Sequence, residues 1–174
     1  MTVGVSVNLG AMEAMFDALE DDVVAAARPA AQAGAQVLYD AVKQNVTNLG
    51  RVTGNLASSI YQVYSQDKSG DGRAVYHVSW NRRKAPHGGL VEFGYIQRYA
   101  TYVGKDGQWY TAVRAEMRGK PKPSRRAPQA VKDAYYVKLP QPKQVGAKAF
   151  LRSAVVKLPE AKSAVETELL RRLA

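Results

Sequence analysis

Few residues in this chain have the type and spacing for chemistry, and the densest group is His87-Gly88-Gly89 with Glu92 shortly after it. A histidine before paired glycines has the form of the turn that stabilises an alkoxide in some esterases, because glycine lets backbone N–H groups face a developing negative charge. The serine elbow G-x-S-x-G that would supply the nucleophile is missing from the sequence, so a plain glycine turn is expected. His87 and Glu92 are close enough along a turn or helix to meet as a general acid–base pair. A structural role weighs more: a single carboxylate between apolar residues, near Arg82, Arg83 and Lys84, is expected to form a salt bridge or to cap backbone. His77 falls on the polar face of an expected strand, where it faces solvent or a hydrogen-bond partner. The absence of cysteine excludes disulfides, thiolate nucleophiles and cysteine-ligated metal. The two histidines, ten residues apart, give no short-range metal spacing. No cofactor, no metal and no catalytic residue are expected.

Charge is the stronger signal. The chain has 174 residues and a net charge of +10, but residues 1–50 hold six acids against two bases. Residues 114–148 hold ten bases, Arg114, Arg118, Lys120, Lys122, Arg125, Arg126, Lys132, Lys138, Lys143 and Lys148, against Glu116 and Asp133. Such a segment can neutralise phosphates, dock on an acidic protein surface, or keep a loop soluble. No aromatic residue is interleaved between Arg118 and Arg126, which argues against a stacking platform for single strands. Partner binding is therefore placed on Arg114, Arg118, Lys120, Lys122, Arg125, Arg126, Lys132 and Lys138, with an acidic protein favoured over DNA. A basic nucleic-acid-binding protein using 114–148 is the alternative reading.

The elements that must carry these residues read as an α+β domain spanning 1–174, an antiparallel or mixed sheet of hairpins flanked by N-terminal and C-terminal helices, with an extended basic loop or arm. Met12, Met15, Phe16 and Leu19 share one face of a helix over 10–20. Asp21 and Asp22 open a second helix that runs to about residue 46, with Val37, Leu38, Ala41 and Val42 as its inner stripe and Pro29 in a first turn or at a kink. Alanines crowd residues 25–35 around Gly34, so a neighbouring backbone can approach closely. Residues 59–65 and 73–80 form a hairpin turned over 68–72, and 99–103 with 108–113 a second one turned over 104–107. Residues 118–128 are an exposed, mobile loop, rich in proline and base. A strand over 131–139, ended by Pro140 and Pro142, a short helix over 148–158 and a last helix opened by Pro159 complete the chain. In that last helix Leu158, Ala161, Val165, Leu169 and Leu173 form one stripe, and Arg171 and Arg172 complement the dipole. No run of about 18 apolar residues and no secretory signal occur, so a protein that is soluble and intracellular when made is expected.

Three pieces of sequence occur in a telling order. They are Val52-Thr53-Gly54-Asn55-Leu56 with Ser58-Ser59-Ile60, then Ala85-Pro86-His87-Gly88-Gly89-Leu90-Val91-Glu92-Phe93-Gly94, then Ala149-Phe150-Leu151-Arg152-Ser153-Ala154. Together they resemble the tail-completion or neck (head–tail joining) proteins of long-tailed bacteriophages. In that family a "TG.L..SI" turn, a "hg.lvEfG" turn and a "PFLRPA"-like helix start are typical. The resemblance gives structural roles to Thr53, Gly54, Leu56, Pro86, His87, Gly88, Glu92, Phe93, Gly94, Phe150, Leu151 and Arg152. It implies a non-enzymatic virion protein without cofactor, made in the bacterial cytoplasm. It implies a homo-oligomeric ring, in a six- or twelve-fold environment, that connects the portal-side connector or adaptor to the tail tube or terminator proteins. Transient contact with packaged DNA, and none with membrane, goes with that position. The chain departs from the pattern in having Ala149 and Ser153 where prolines are usual, and in an inserted stretch, 95–146, that holds a hairpin and the basic arm.

Overall fold

The structure is a computed structural model that describes residues 10–50, 54–70 and 72–174, with side chains from residue 20 onward. Thr53 and the face formed by Met12, Met15, Phe16 and Leu19 lie outside the described side chains. In chain order the helices are α1 (Gly10–Asn48), α2 (Asn55–Ser59), α3 (Gly88–Phe93), α4 (Gln129–Tyr135) and α5 (Leu158–Leu173). The strands are β1 (Ile60–Tyr64), β2 (Tyr76–Trp80), β3 (Tyr95–Tyr99), β4 (Thr101–Val103), β5 (Trp109–Thr111) and β6 (Lys138–Val145). The α+β class stands, with every pairing antiparallel. The strands pair as three separate twos, β1 with β2, β3 with β6 and β4 with β5, rather than in one sheet. The chain divides into two compact units, residues 1–45, 60–80 and 153–174 forming the first and residues 46–59 and 81–152 the second.

In the first unit the two expected N-terminal helices are one. α1 runs unbroken through Asp21 and Asp22, and Pro29 sits in its interior. Proline there leaves the carbonyl four residues earlier without its helical donor, a cost the alanine-rich surroundings accommodate because small side chains give the ring room. Ala26, Ala30 and Gly34, spaced by four, are buried. A Cβ on Gly34 would stand 2.6 Å from Val165 Cγ2 and 3.1 Å from the backbone oxygen of Ala161, so α1 meets α5 through missing side-chain volume. The close approach expected at Gly34 is the seam of this unit. Of the stripe expected on α5, Ala161 is buried and Val165 and Leu169 half-buried, while Leu158 and Leu173 are exposed.

Residues spaced by four also carry the contact between α1 and the β1–β2 hairpin. The Arg28 guanidinium lies 4.4 Å from the Tyr64 ring centroid, Tyr76 donates to Gln32 Oε1 at 3.4 Å, and Gln62 Nε2 donates to Gln36 Oε1 at 2.7 Å. Strand register sets this up, since Tyr64 stands opposite Tyr76 and Gln62 opposite Val78. The link between the strands is held by serines: Ser69 Oγ donates to the Ser65 oxygen at 2.7 Å and accepts from the Val75 amide at 2.9 Å.

The second unit contains most of what sequence reading misassigned. The expected strand over 131–139 is helix α4 for its first half, starting after Pro128, and strand only from Lys138. Pro140 and Pro142 do not end that strand but lie within β6. Two circumstances permit this. A two-stranded ribbon leaves each strand one unpaired edge, where a missing N–H costs nothing. The β3–β6 register also shifts between Gln97 and Tyr99, the part of the ladder that faces the prolines. The expected helix over 148–158 is a 3-10 helix over Arg152–Lys157 only, with irregular chain before it.

Candidate functional site

Gly88 to Gly94 positions the best-built group of the molecule. The segment expected as a turn is helix α3, ended by Gly94, whose N–H donates to the Leu90 oxygen. Gly94 has φ +74° and ψ 174°, a conformation closed to side-chain-bearing residues. A Cβ there would also stand 2.6 Å from the Val145 oxygen and 2.8 Å from the Ala147 nitrogen. Backbone approach this close brings the chain after β6 against the end of α3. The Lys148 amide donates to the Val91 oxygen at 2.8 Å and the Ala149 amide to the Glu92 oxygen at 3.3 Å.

That approach delivers Phe150, Leu151 and Arg152 to Glu92. The Glu92 residue is wholly buried. Its Oε2 accepts from the Leu151 amide at 2.8 Å, and its Oε1 accepts from the Arg152 amide at 3.1 Å and from Arg152 Nε at 2.9 Å. Arg152 donates a further bond to the Glu92 backbone oxygen at 2.9 Å and lies 5.0 Å from the Phe93 ring centroid. Burying a carboxylate is tolerated only where its oxygens are filled by donors, and here three fill them. Phe150, fully buried, anchors the same turn. The salt bridge expected for Glu92 therefore exists, but its partner is Arg152, not the cluster at 82–84. His87 is exposed and makes no side-chain cap bond, so no hydrogen bond joins it to Glu92 as an acid–base pair.

Ala149 is the non-glycine residue with positive φ among the described residues, at +48°. Proline, fixed near −65°, cannot adopt that value. Upstream, Gly54 has φ +75° and opens α2, where the Ser58 amide donates to its carbonyl at 3.0 Å and Ser59 Oγ to the Leu56 oxygen at 2.7 Å.

The second feature is the basic segment, which the structure sorts into two groups. Arg114, Lys132 and Lys138 are engaged within the chain. Arg114 Nε donates to the Tyr136 oxygen at 3.2 Å, Lys132 Nζ to the Arg125 oxygen at 2.7 Å, and Lys138 Nζ to Asp133 at 3.0 Å. Arg118, Lys120, Lys122, Arg125 and Arg126 are exposed and have no side-chain partner among the described residues. Segment 114–148 contains α4 and most of its length in regular elements, so the irregular part narrows to 118–128. That part is a loop tied at its base. Val113 bridges Tyr136, the Arg114 amide donates to the Tyr135 oxygen at 3.1 Å, and Tyr135 donates through its hydroxyl to the Lys120 oxygen at 2.9 Å.

Sequence reading did not single out the group that secures this base. Asp133 Oδ1 accepts from Tyr99 at 2.8 Å and from Gln129 at 2.7 Å, while Lys138 approaches Oδ2. These donors, Lys138 foremost, hold the Asp133 carboxyl at about 2. Burial, then the Asp133 carboxylate, push the Tyr99 phenol upward. One of only two acids among ten bases was the available signal. The β4–β5 hairpin was legible, including its tight turn at Gly107 with φ +74°. Its exposed side chains lie on both faces of the ribbon, Tyr102 with Tyr110 on one and Val103 with Trp109 on the other. Among the described residues, no helix is long and apolar enough to cross a membrane, and no cluster of His, Asp and Glu is placed to hold a metal.

The geometry is an internal clamp and an outward charged loop, and comparison with known families finds a similarity to a bacteriophage tail component. The model of the HK97-gp10-like family, described as "Bacteriophage HK97-gp10, putative tail-component", matches residues 10–94, so the chain is similar to that family over this stretch. The first two sequence motifs fall inside the matched stretch, and the third, with the rest of the chain from residue 95, lies outside it. No curated protein and no solved structure matches the chain.

Proposed function

We propose that this protein is a non-enzymatic subunit of an oligomeric ring at the phage head-to-tail joint, connecting the portal-side connector to the tail tube. The observation that carries the reading is the loop at 118–126. Five exposed cations stand on it without side-chain partners among the described residues, on a base tied back by Tyr135, Lys132 and Asp133. A fixed loop of one charge sign supplies orientation and specificity to protein docking. The exposed aromatic hairpin supports the same reading, since Trp109 at 61% exposure leaves apolar area in water that association removes. The sole acid–base candidate from the sequence is divided between a solvent-facing His87 and a fully engaged Glu92, which supports a structural role.

Electron microscopy of whole particles tests the proposal. Density for this chain forming a collar where head meets tail is the expected result. Absence of the chain from mature particles, or its position along the tail shaft or at its tip, ends the reading.

A further inference from the structure

We infer that the basic loop of one copy docks on the acidic stretch of α1 in the next copy, so that a ring closes through contact between residues 118–126 and residues 13–22. This rests on the ring reading above and names the partner of the same loop.

The loop holds Arg118, Lys120, Lys122, Arg125 and Arg126, and no acid occurs between Glu116 and Asp133. Its complement is on the same chain. Glu13, Asp17, Glu20, Asp21 and Asp22 fall within ten residues of sequence, and the first base of the chain is Arg28. Glu20, Asp21 and Asp22 are exposed. They are also the acids without a side-chain partner among the described residues. Asp40, Asp67 and Asp106 accept from Gln36, Ser65 and Tyr110. Glu92, Glu116, Asp133, Glu160, Glu166 and Glu168 each face a lysine or arginine. Among the described residues the other acids are paired internally, which leaves Glu20, Asp21 and Asp22 for an external cation. Val23 and Val24, next to the acids and each 46% exposed, offer apolar area for the centre of such a contact.

Two observations favour a second copy over another virion protein as the occupant. The opposite charges are equal in number, so every copy offers one surface of each kind, as a head-to-tail ring contact requires. A chain of net charge +10 also repels its copies unless its positive segment is neutralised locally, and the acidic stretch of the neighbour does this.

The test uses full-length protein and light scattering after size-exclusion chromatography. One variant reverses the loop (Lys120→Glu, Arg125→Glu, Arg126→Glu) and another the helix (Glu20→Lys, Asp21→Lys, Asp22→Lys). All six positions are exposed, and circular dichroism confirms folding. Wild type is expected to self-associate and to dissociate as salt rises from about 50 mM to about 500 mM, where charges are screened within a few ångström. Each reversal alone is expected to weaken self-association by at least about ten-fold. Mixing the two variants, or placing both reversals in one chain, is expected to restore it.

A wild type that stays monomeric, reversals without effect, or a doubly reversed chain that fails to recover overturns the inference. Loop reversal that leaves self-association intact but abolishes incorporation into particles, or binding of duplex DNA, assigns the loop to another partner and equally overturns it. In those cases the collar seen by electron microscopy still decides the ring reading separately.

Discussion

Removing the Glu92 carboxylate should unfasten the turn at 149–152, and the size of the effect follows from its three donors. In Glu92→Ala the amides of Leu151 and Arg152 lose their acceptors, which are 2.8 and 3.1 Å away. An unsatisfied, water-excluded donor costs about 1–3 kcal/mol. The Arg152 side chain, 55% exposed, recovers water and adds at most about 1 kcal/mol. The expected loss is about 3–5 kcal/mol. With a urea dependence of about 2 kcal/mol per molar, the unfolding midpoint should fall by about 2 M. Amide exchange at Leu151 and Arg152 should accelerate before the rest of residues 81–152 does. Glu92→Gln keeps one accepting oxygen but turns an NH2 group toward donors, so about half the loss is expected. Arg152→Ala leaves the carboxylate its two amides and should cost only about 1–2 kcal/mol. The reasoning fails if Glu92→Ala moves the midpoint by less than about 0.5 M, or if Arg152→Ala costs as much as Glu92→Ala. The second outcome would mean that the ion pair, and not capture of backbone, holds the turn.

Other positions test the same physics. Gly34→Ala puts a methyl 2.6 Å from Val165 Cγ2 and should lower stability by about 1–3 kcal/mol in thermal melts, with partial recovery in Gly34→Ala/Val165→Ala; equal losses in both would show that the α1–α5 seam is not the cause. Ala149→Pro cannot adopt φ +48° and should destabilise by about 3 kcal/mol, whereas Ala149→Gly relieves the left-handed backbone and should be neutral or stabilising by up to about 1 kcal/mol in urea unfolding. Asp133, held at about 2 by Lys138, Tyr99 and Gln129, has a folded-state pKa below the ordinary aspartate value of 3.8. Its contribution is therefore present above that value and disappears as pH falls from about 4 through about 2, a titration that carboxyl NMR should show and Asp133→Asn should remove from the stability profile.

Local pattern exposed what local chemistry decides. The β1–β2 hairpin, the tight turn of β4–β5 and the start of α5 at Pro159 follow from alternation, glycine and proline, and the structure has each of them. The failures share another cause. The two aspartates at 21 and 22 read as a helix opening, yet α1 continues through them because a cap signal is optional where the flanking residues already favour helix. Tyr135-Tyr136-Val137 has strand-like composition, but Tyr135 ends a helix whose place is set by Asp133 and its donors, contacts with partners up to 34 residues away. Arg171 and Arg172 were legible as cations at a helix end, while Glu168, which both engage at 2.6 and 2.7 Å, was not singled out. Within the candidate site, Glu92 was legible as a carboxylate needing a partner. The partner was not, because it arrives from 60 residues away.

The stretch 95–146 is organised by where its ends meet. β3 begins at Tyr95, which pairs with Val145 at the end of β6, so the inserted stretch leaves and returns on one antiparallel stem. Immediately beneath that stem, Gly94 lies against Val145 and Ala147, and Glu92 holds Leu151 and Arg152. A stem closed at its root isolates what lies beyond it, since adding residues to an already closed loop changes its entropy only slowly with length. The family match ends at residue 94, where the stem begins, while the second and third motifs stay joined across it by the clamp. In this arrangement the hairpin and the charged loop can change without touching the residues that keep the turn folded. It also sets an order of sensitivity: changes at Glu92 or Gly94 should act on folding, and changes at Lys120 or Arg125 on assembly alone. Variants at these two pairs of positions that could not be told apart by melting temperature would show that the stem does not insulate the loop.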